Sequence, residues 1–340
     1  STLLERFGKA IDIIRADGFV PVRSIHYVIE GETLTTQAKS TGLGILELSS
    51  AFEDLKPDMV VTVADRFETI ATAISSTYMN IPLVHLQGGE ISGNIDDRVR
   101  HAITKLADLH FVASEVSRQR VISMGESSKC VFSYGCPAMD ILANEDLSIS
   151  NELMSRYLGV GKAIDWTEPY ILMIQHPVTT SYGEGFQQVT GCMQALKAIP
   201  NLQKVVMWPN IDAGSDHVAK GIRHFRERNI NEHIYYYKNF SPEDYARVLN
   251  NAQCCVGNSS SFIREAAYLG VPSVIVGDRQ HGREHGHNVV LTGYDSDDIA
   301  AQIRTQLNHG RYMRDYRFGR GDAGKKIAAK LANIDGTLGR

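Results

Sequence analysis

The polar residues that could do chemistry gather where short apolar runs end. The stretch HLQGGEISGNIDDRVRHAITKLADLH, residues 85–110, leaves the apolar run IPLVHL and carries Gln87, Glu90, Asp96 and Asp97 around Gly88 and Gly89. Carboxylates on one connection suit general acid–base work, and the connection is longer than a turn requires. The plain alternative is that Asp96 or Asp97 caps the following helix and complements its dipole, worth about 0.3–1 kcal/mol, with Glu90 in solvent. The density of polar groups favours a site. Asp65 and Arg66 end the run MVVTV in the same manner. Asp65 reads equally well as a helix N-cap, worth about 1 kcal/mol, or as a proton-transfer group beside a phosphate-binding guanidinium.

The second half repeats the arrangement. His176 follows YILMIQ and is locked by Pro177, and Asn210, Asp212 and Ser215 follow KVVMW. A lone histidine is more often structural than catalytic, but this one stands at a strand end. CCVG runs into Gly257, Asn258, Ser259, Ser260 and Ser261, with a helix expected over residues 260–269. Free N–H groups at such a helix start suit phosphate oxygens, and three hydroxyls exceed what one cap needs. Glu265, on that helix, suits the two hydroxyls of a ribose. GVGKA at residues 159–163 has Ala163 where a Walker loop carries Ser or Thr. The spacing of His281, His285 and His287 in RQHGREHGH matches no standard metal site. No metal is expected there, and Arg279 and Arg283 read as base or phosphate contacts.

Strand-like and helix-like segments alternate along most of the chain, which predicts an α/β fold with parallel sheets. Ligands bind such sheets at the carboxyl ends of their strands. The chain opens on a helical pattern (Leu3, Leu4, Phe7, Ile11, Ile14), and SIHYVI reads as a strand over residues 25–29. The alternation lapses between about residues 140 and 169, which predicts a domain over residues 1–145 and another over 146–320. A last helix over residues 321–336, with Ile327, Leu331 and Ile334 on one face and Asp322 as its cap, is expected to pack on the first domain. With 340 residues and 43% hydrophobic content the chain can bury two cores. A net charge of −4 gives no field for nucleic acid, and no apolar run is long enough to span a bilayer. Five scattered cysteines suit a reducing cytosol. A cytoplasmic protein with neither nucleic-acid nor membrane partner is expected.

The motifs ADRFE, HLQGGEISGNIDDRVRHAITKLAD, GCPAMD, QHPVTT, WPNIDAGS, GNSSSFIRE and DRQHGRE run in order from Asp65 to Glu284. On them the chain resembles the hydrolysing UDP-N-acetylglucosamine 2-epimerases of sialic and legionaminic acid synthesis. The resemblance implies the GT-B architecture, two Rossmann-like domains facing across a cleft, and a homodimer that needs no cofactor. It implies a UDP-sugar substrate, UDP-N-acetylglucosamine or UDP-N,N'-diacetylbacillosamine. The nucleotide is eliminated to leave a 2-acetamidoglucal, and water then adds. Asp65, position 87 and Asp96 match the acid/base groups, and His176 matches a histidine near the phosphates. Arg66, Asn210, Ser259, Ser260, Glu265 and Arg279 match nucleotide contacts, with Asp212, Ser261, Gly282 and Arg283 counted beside them.

Two departures from the family pattern stand out. Position 87 is Gln where many relatives have Glu, and an amide cannot act as a base; proton abstraction falls to Asp65 or Asp96, with Glu90 in reserve. The family also opens with a strand and an arginine-bearing loop that precede Ser1, so the first domain is expected to lack its initial strands. Two rivals compete: a GT-B glycosyltransferase, which would not need the acidic pair, and a non-catalytic nucleotide-sugar binding protein, for which Gln87 speaks.

Overall fold

The structure is a computed structural model that describes residues 2–5, 9–31, 33–93, 95–161, 164–229 and 233–334. Its strands form two parallel sheets. The first runs in chain order through β1 (Val60–Val63), β2 (Leu83–Leu86), β3 (Leu109–Val112) and β4 (Val131–Ser133). Every residue of β2 and β3 is buried, His85 and His110 included, as in parallel strands covered on both faces. Val60 and Leu83 pack with Ile103 on one face, and Val84, Leu86, Leu109 and Phe111 pack with Ile327 on the other.

The second sheet contains β5 (Tyr170–Ile174), β6 (Gln203–Met207), β7 (Ile234–Tyr237), β8 (Cys254–Gly257), β9 (Ser273–Val276) and β10 (Val289–Thr292). Its order is β7-β6-β5-β8-β9-β10, all parallel. Counted from β5 this is the 3-2-1-4-5-6 arrangement of dinucleotide-binding folds, whose chain direction reverses between β5 and β8. Ile171, Met173, Val206, Val256 and Val274 form its core with Val189, Met193 and Ile299.

The chain divides into two compact units. One comprises Asn144–His281 and His285–Tyr316 together with Ser1–Asp17; the other comprises Gly18–Ala143, Gly282–Glu284 and Arg317–Arg340. The opening segment therefore groups with the second sheet, not with the first as chain order suggested. Its helix, Ile11–Ala16, buries Ile11. Phe7 of the expected helix lies outside the described residues.

Other expectations are corrected. SIHYVI forms no strand, because residues 25–29 have no neighbouring strand to complete a ladder. The expected helix over 260–269 is broken into a 3-10 turn, Ser260–Phe262, and a short helix, Glu265–Leu269. Serine side chains compete for backbone hydrogen bonds at such a start. The last helix spans Ala323–Ala332, and residues 335–336 of the expected range lie outside the described residues. Asp322 is its N-cap residue as expected, but its side chain makes no capping hydrogen bond and pairs with Lys326 at 2.9 Å. Asp140 supplies the side-chain acceptor instead, taking bonds from Ala323 N at 2.9 Å and Gly324 N at 2.7 Å. Beside it, a Cβ on Gly135 would lie 2.6 Å from the Gly319 Cα, and Cys136 N donates to Phe318 O at 2.7 Å. The GCPAMD motif thus docks the returning chain. Strand β10, from NVVLT, was absent from the sequence reading. Among the described residues no helix is long and apolar enough to cross a membrane.

Candidate active site

In the unit of the first sheet, β1 and β2 both end on residues with left-handed backbone, Ala64 (φ +65°) and Gln87 (φ +63°). Neither is glycine, so each conformation costs about 1–3 kcal/mol and persists only where neighbours enforce it. Ala64 N donates to Leu86 O at 2.9 Å, and Gln87 N donates to Phe111 O at 2.8 Å. The Gln87 amide nitrogen donates to Cys136 Sγ at 3.1 Å.

Behind Ala64 lies His85, fully buried on β2. Burial pushes its pKa down to about 4, so the ring is neutral near pH 7. Its Nε2 lies 2.8 Å from Ala64 O and its Nδ1 lies 3.2 Å from Thr104 Oγ1. The one N–H of a neutral ring, placed on Nε2, donates to the Ala64 carbonyl, and Nδ1 then faces the Thr104 hydroxyl, whose own proton goes to Arg100 O at 3.0 Å. Because the folded pKa lies below the unfolded value of 6.5, the stabilisation is complete above pH 6.5 and is lost as pH falls through 4. The loss amounts to something on the order of 3 kcal/mol. Urea midpoints measured from pH 7 to 4 should fall across this window, and less steeply in His85→Asn.

Asp65 follows Ala64 and is gripped by a residue that sequence reasoning missed. Arg100, 1% exposed on the Ile95–Leu106 helix, ion-pairs with Asp65. Its Nη1 donates to Asp97 Oδ1 at 2.8 Å and to Glu90 O at 2.7 Å. Burial disfavours the charged guanidinium, but Asp65, Glu90 and Asp97 outweigh it and hold its pKa above the ordinary value. Asp97 braces the loop before its helix. It accepts from Ser92 N at 2.6 Å, Ser92 Oγ at 2.8 Å and Gly93 N at 2.7 Å. Burial works against its charge, yet these bonds and Arg100 bring its pKa below the usual value. Asp96, one residue earlier in the same first turn, is half-buried.

Glu90 is not in solvent. It is 5% exposed and ion-paired with Arg283. Gly282 and Arg283, expected among the nucleotide contacts of the second domain, belong instead to the unit of the first sheet. The pull of a buried carboxylate on a guanidinium explains it. Ser114 Oγ donates to Glu284 Oε2 at 2.7 Å and anchors the same three-residue segment. Arg66 Nε donates to Glu68 Oε2 at 3.1 Å.

In the unit of the second sheet, polar groups converge at the reversal point. Asn258, fully buried after β8, accepts from His176 N at 2.7 Å and donates to His176 O at 2.9 Å. His176 Nδ1 accepts from Asn210 N at 3.2 Å. Asn210 donates to Asp212 Oδ2 at 2.5 Å, and Arg279 reaches both Asp212 Oδ2 and Asn258 O at 3.4 Å. Gln280 donates to Asn258 O at 2.8 Å. Ser259 Oγ lies 2.9 Å from Ser261 Oγ and accepts from Ser261 N, and Tyr245 also bonds Ser261. The Ser261 hydroxyl is therefore part of the frame. Glu265 Oε2 is buried without a hydrogen-bond partner among the described residues, with Arg264 Nε 3.8 Å away. No three or more His, Cys, Asp or Glu side chains among the described residues are grouped to hold a metal.

Parallel sheets with a polar reversal point in one unit and carboxylates at strand ends in the other define an α/β protein that offers ligands the carboxyl ends of its strands. The chain belongs to the UDP-N-acetylglucosamine 2-epimerase family, whose profile matches residues 7–332. It is 33% identical to the UDP-N,N'-diacetylbacillosamine 2-epimerase (hydrolyzing) of Legionella pneumophila over 328 residues, 96% of this chain and 85% of that protein. It is 31% identical to the GDP/UDP-N,N'-diacetylbacillosamine 2-epimerase (hydrolyzing) of Campylobacter jejuni over 273 residues, 80% of this chain and 70% of that one. Its fold matches the crystal structure of UDP-GlcNAc 2-epimerase from Neisseria meningitidis bound to UDP-GlcNAc. The TM-score is 0.78 at 19% identity, over 96% of this chain and 89% of that one. The expected architecture of two Rossmann-like domains is that of this family.

Arg100, His85 and Gln280 were the functional-looking residues that sequence reasoning passed over. The only signal for Arg100 was its spacing, four residues after Asp96 and four before Thr104, which puts all three on one helix face.

Proposed function

We propose that the chain catalyses hydrolytic 2-epimerisation of a UDP-linked 2-acetamido sugar, either UDP-N-acetylglucosamine or UDP-N,N'-diacetylbacillosamine, with release of UDP. The observation that carries this reading is the acidic machinery at the carboxyl ends of β1 and β2: Asp65 is ion-paired with Arg100, which shares the Ile95–Leu106 helix with Asp96. A retaining glycosyltransferase does not need it. The named activities of the bacterial relatives support the substrate class.

The C2 proton of a hexosamine is barely acidic, so its removal must be coupled to departure of charge from C1. A base takes the C2 proton, the C–H electrons form the C1–C2 double bond, and the C1–O electrons leave with UDP. Water then adds to the 2-acetamidoglucal at C1, and a proton reaches C2 on the opposite face. Two acid/base groups are needed, and Asp65 and Asp96 supply them. Gln87 is a neutral amide, and Glu90 is engaged by Arg283. His176, Asn210, Ser259, Ser260 and Arg279 hold the diphosphate, with Asp212 orienting Asn210 and Arg279 and Ser261 framing the serine turn; Arg66 assists, and Glu265 takes the ribose hydroxyls. The buried Glu265 oxygen, which has no hydrogen-bond partner among the described residues, favours that last role. A general base contributes about 10²–10⁴ in rate, so electrostatic stabilisation of the leaving diphosphate carries the larger share.

Incubation with each UDP-sugar in deuterated water tests the reading. UDP release with deuterium at C2 of the product is expected. UDP binding without release, or sugar transfer without deuterium, overturns it in favour of a binding protein or a glycosyltransferase. Arg279→Ala should weaken UDP binding by roughly ten- to a hundredfold, the worth of a charge-assisted hydrogen bond, and Ser260→Ala by several-fold. Titration calorimetry measures both, and unchanged affinity removes the residue from the phosphate site. The same reading makes the protein a cytoplasmic homodimer of sialic or legionaminic acid synthesis. A 29% identical relative, polysialic acid biosynthesis protein P7 of Escherichia coli, supports the pathway, and light scattering tests the dimer.

A further inference from the structure

We infer that Arg100 is a positioning residue for the proposed reaction: it fixes the orientation of the Asp65 carboxylate, while His85 fixes the peptide that precedes it. The inference rests on the epimerase reading for what Asp65 does, but the geometry stands alone. At 1% exposed, Arg100 cannot touch a sugar. It can act only through the groups it binds, and these are Asp65, Asp97 and the Glu90 carbonyl. A guanidinium offers its donors in a rigid planar fork, so satisfying three acceptors fixes them relative to one another. One of those acceptors braces the loop of residues 92–93, and another belongs to the loop after β2. The third is the candidate base.

The backbone around Asp65 is held from the same helix face. Thr104 Oγ1 lies 3.0 Å from Arg100 O and 3.2 Å from His85 Nδ1, and His85 Nε2 lies 2.8 Å from Ala64 O. Ala64 is thereby kept at its left-handed φ of +65°, which sets the direction in which Asp65 leaves β1. Asp96, Arg100 and Thr104 fall at successive four-residue steps of the Ile95–Leu106 helix. One helix face thus carries one candidate acid/base group and positions the other. Charged or titratable groups around Asp65 and its guanidinium partner are His85, Asp97 and Glu90.

The test compares Arg100→Lys, Arg100→Met and His85→Gln with the wild type. Arg100→Met should lower kcat by about a hundredfold or more. Arg100→Lys, which keeps the charge but not the fork, should recover roughly tenfold of that loss. KM and UDP affinity should stay within about threefold in both. His85→Gln should lower kcat about tenfold with UDP affinity kept. A merely structural Arg100 would lower kcat and UDP affinity together in proportion to the folded fraction, with no advantage for lysine, and that result overturns the inference. So does wild-type kcat in Arg100→Lys. If Arg100→Met does not fold, Arg100→Lys and His85→Gln decide. Crystal structures of the wild type and Arg100→Lys give a readout free of turnover. A displaced Asp65 carboxylate is expected, and an unmoved one overturns the inference. Inactive wild type beside a displaced carboxylate would sink the epimerase reading and leave the positioning role standing.

Discussion

Asp96→Asn should lower kcat by about 10²–10⁴, the range that a general base or acid contributes, while UDP affinity stays within about twofold. The substitution is close to isosteric, and asparagine remains compatible with the first turn of a helix, so the Ile95–Leu106 helix should persist. The amide cannot take up or deliver a proton. Nucleotide affinity is spared because the residues proposed to hold UDP belong mainly to the unit of the second sheet, from His176 to Arg279. Stopped assays of released UDP and calorimetry with UDP separate the two quantities. Turnover at the wild-type rate would end the acid/base role of Asp96. Its neighbour makes a sharp contrast, because Asp97 braces Ser92, Gly93 and Arg100.

Gly257→Ala should cost about 4 kcal/mol or more of stability and abolish measurable UDP binding. Large losses of this size arise from strain at special backbone positions and from overpacking, and this site has both. Gly257 has φ +128°, and a Cβ there would lie 2.0 Å from the Ile174 carbonyl oxygen on the adjacent strand β5. That oxygen is backbone and cannot rotate aside. Relief would require β8 to move away from β5, which breaks the clamp of Asn258 on His176 at 2.7 and 2.9 Å. The reversal point would lose its register. Denaturation midpoints and UDP calorimetry check the prediction, and a variant of wild-type stability and affinity would show that the two strands are not locked there.

Much of this protein was legible before any coordinates. The runs VVTV, LVHL, LHFV, YILMI, CCVG and SVIV are short and largely apolar, and each became a parallel strand, buried throughout except in VVTV, where Val61 and Val63 are exposed. Polar residues just past them, from Asp65 to Arg279, marked the strand ends because parallel sheets leave their ligands there. SIHYVI shows the limit. It has the same composition, but a strand exists only where a neighbour completes its ladder, and that is not a property of the segment. The broken helix after Ser259 shows another, since hydroxyl–backbone competition is decided by local partners such as Tyr245.

Side-chain roles were divided in the same way. The amino-acid sequence by itself determined the α/β alternation, the family and the set of polar residues at strand ends, because periodicity and motif order are local properties of the chain. Only the tertiary structure decided which member of a pair is held and which serves as a brace. It put Asp97 on the loop, Arg100 on Asp65, Arg283 on Glu90 and the side-chain acceptor of the last helix on Asp140. Those partners lie up to 193 residues apart in the chain. A buried charge takes the nearest opposite charge in space, and spacing along the chain does not encode that distance.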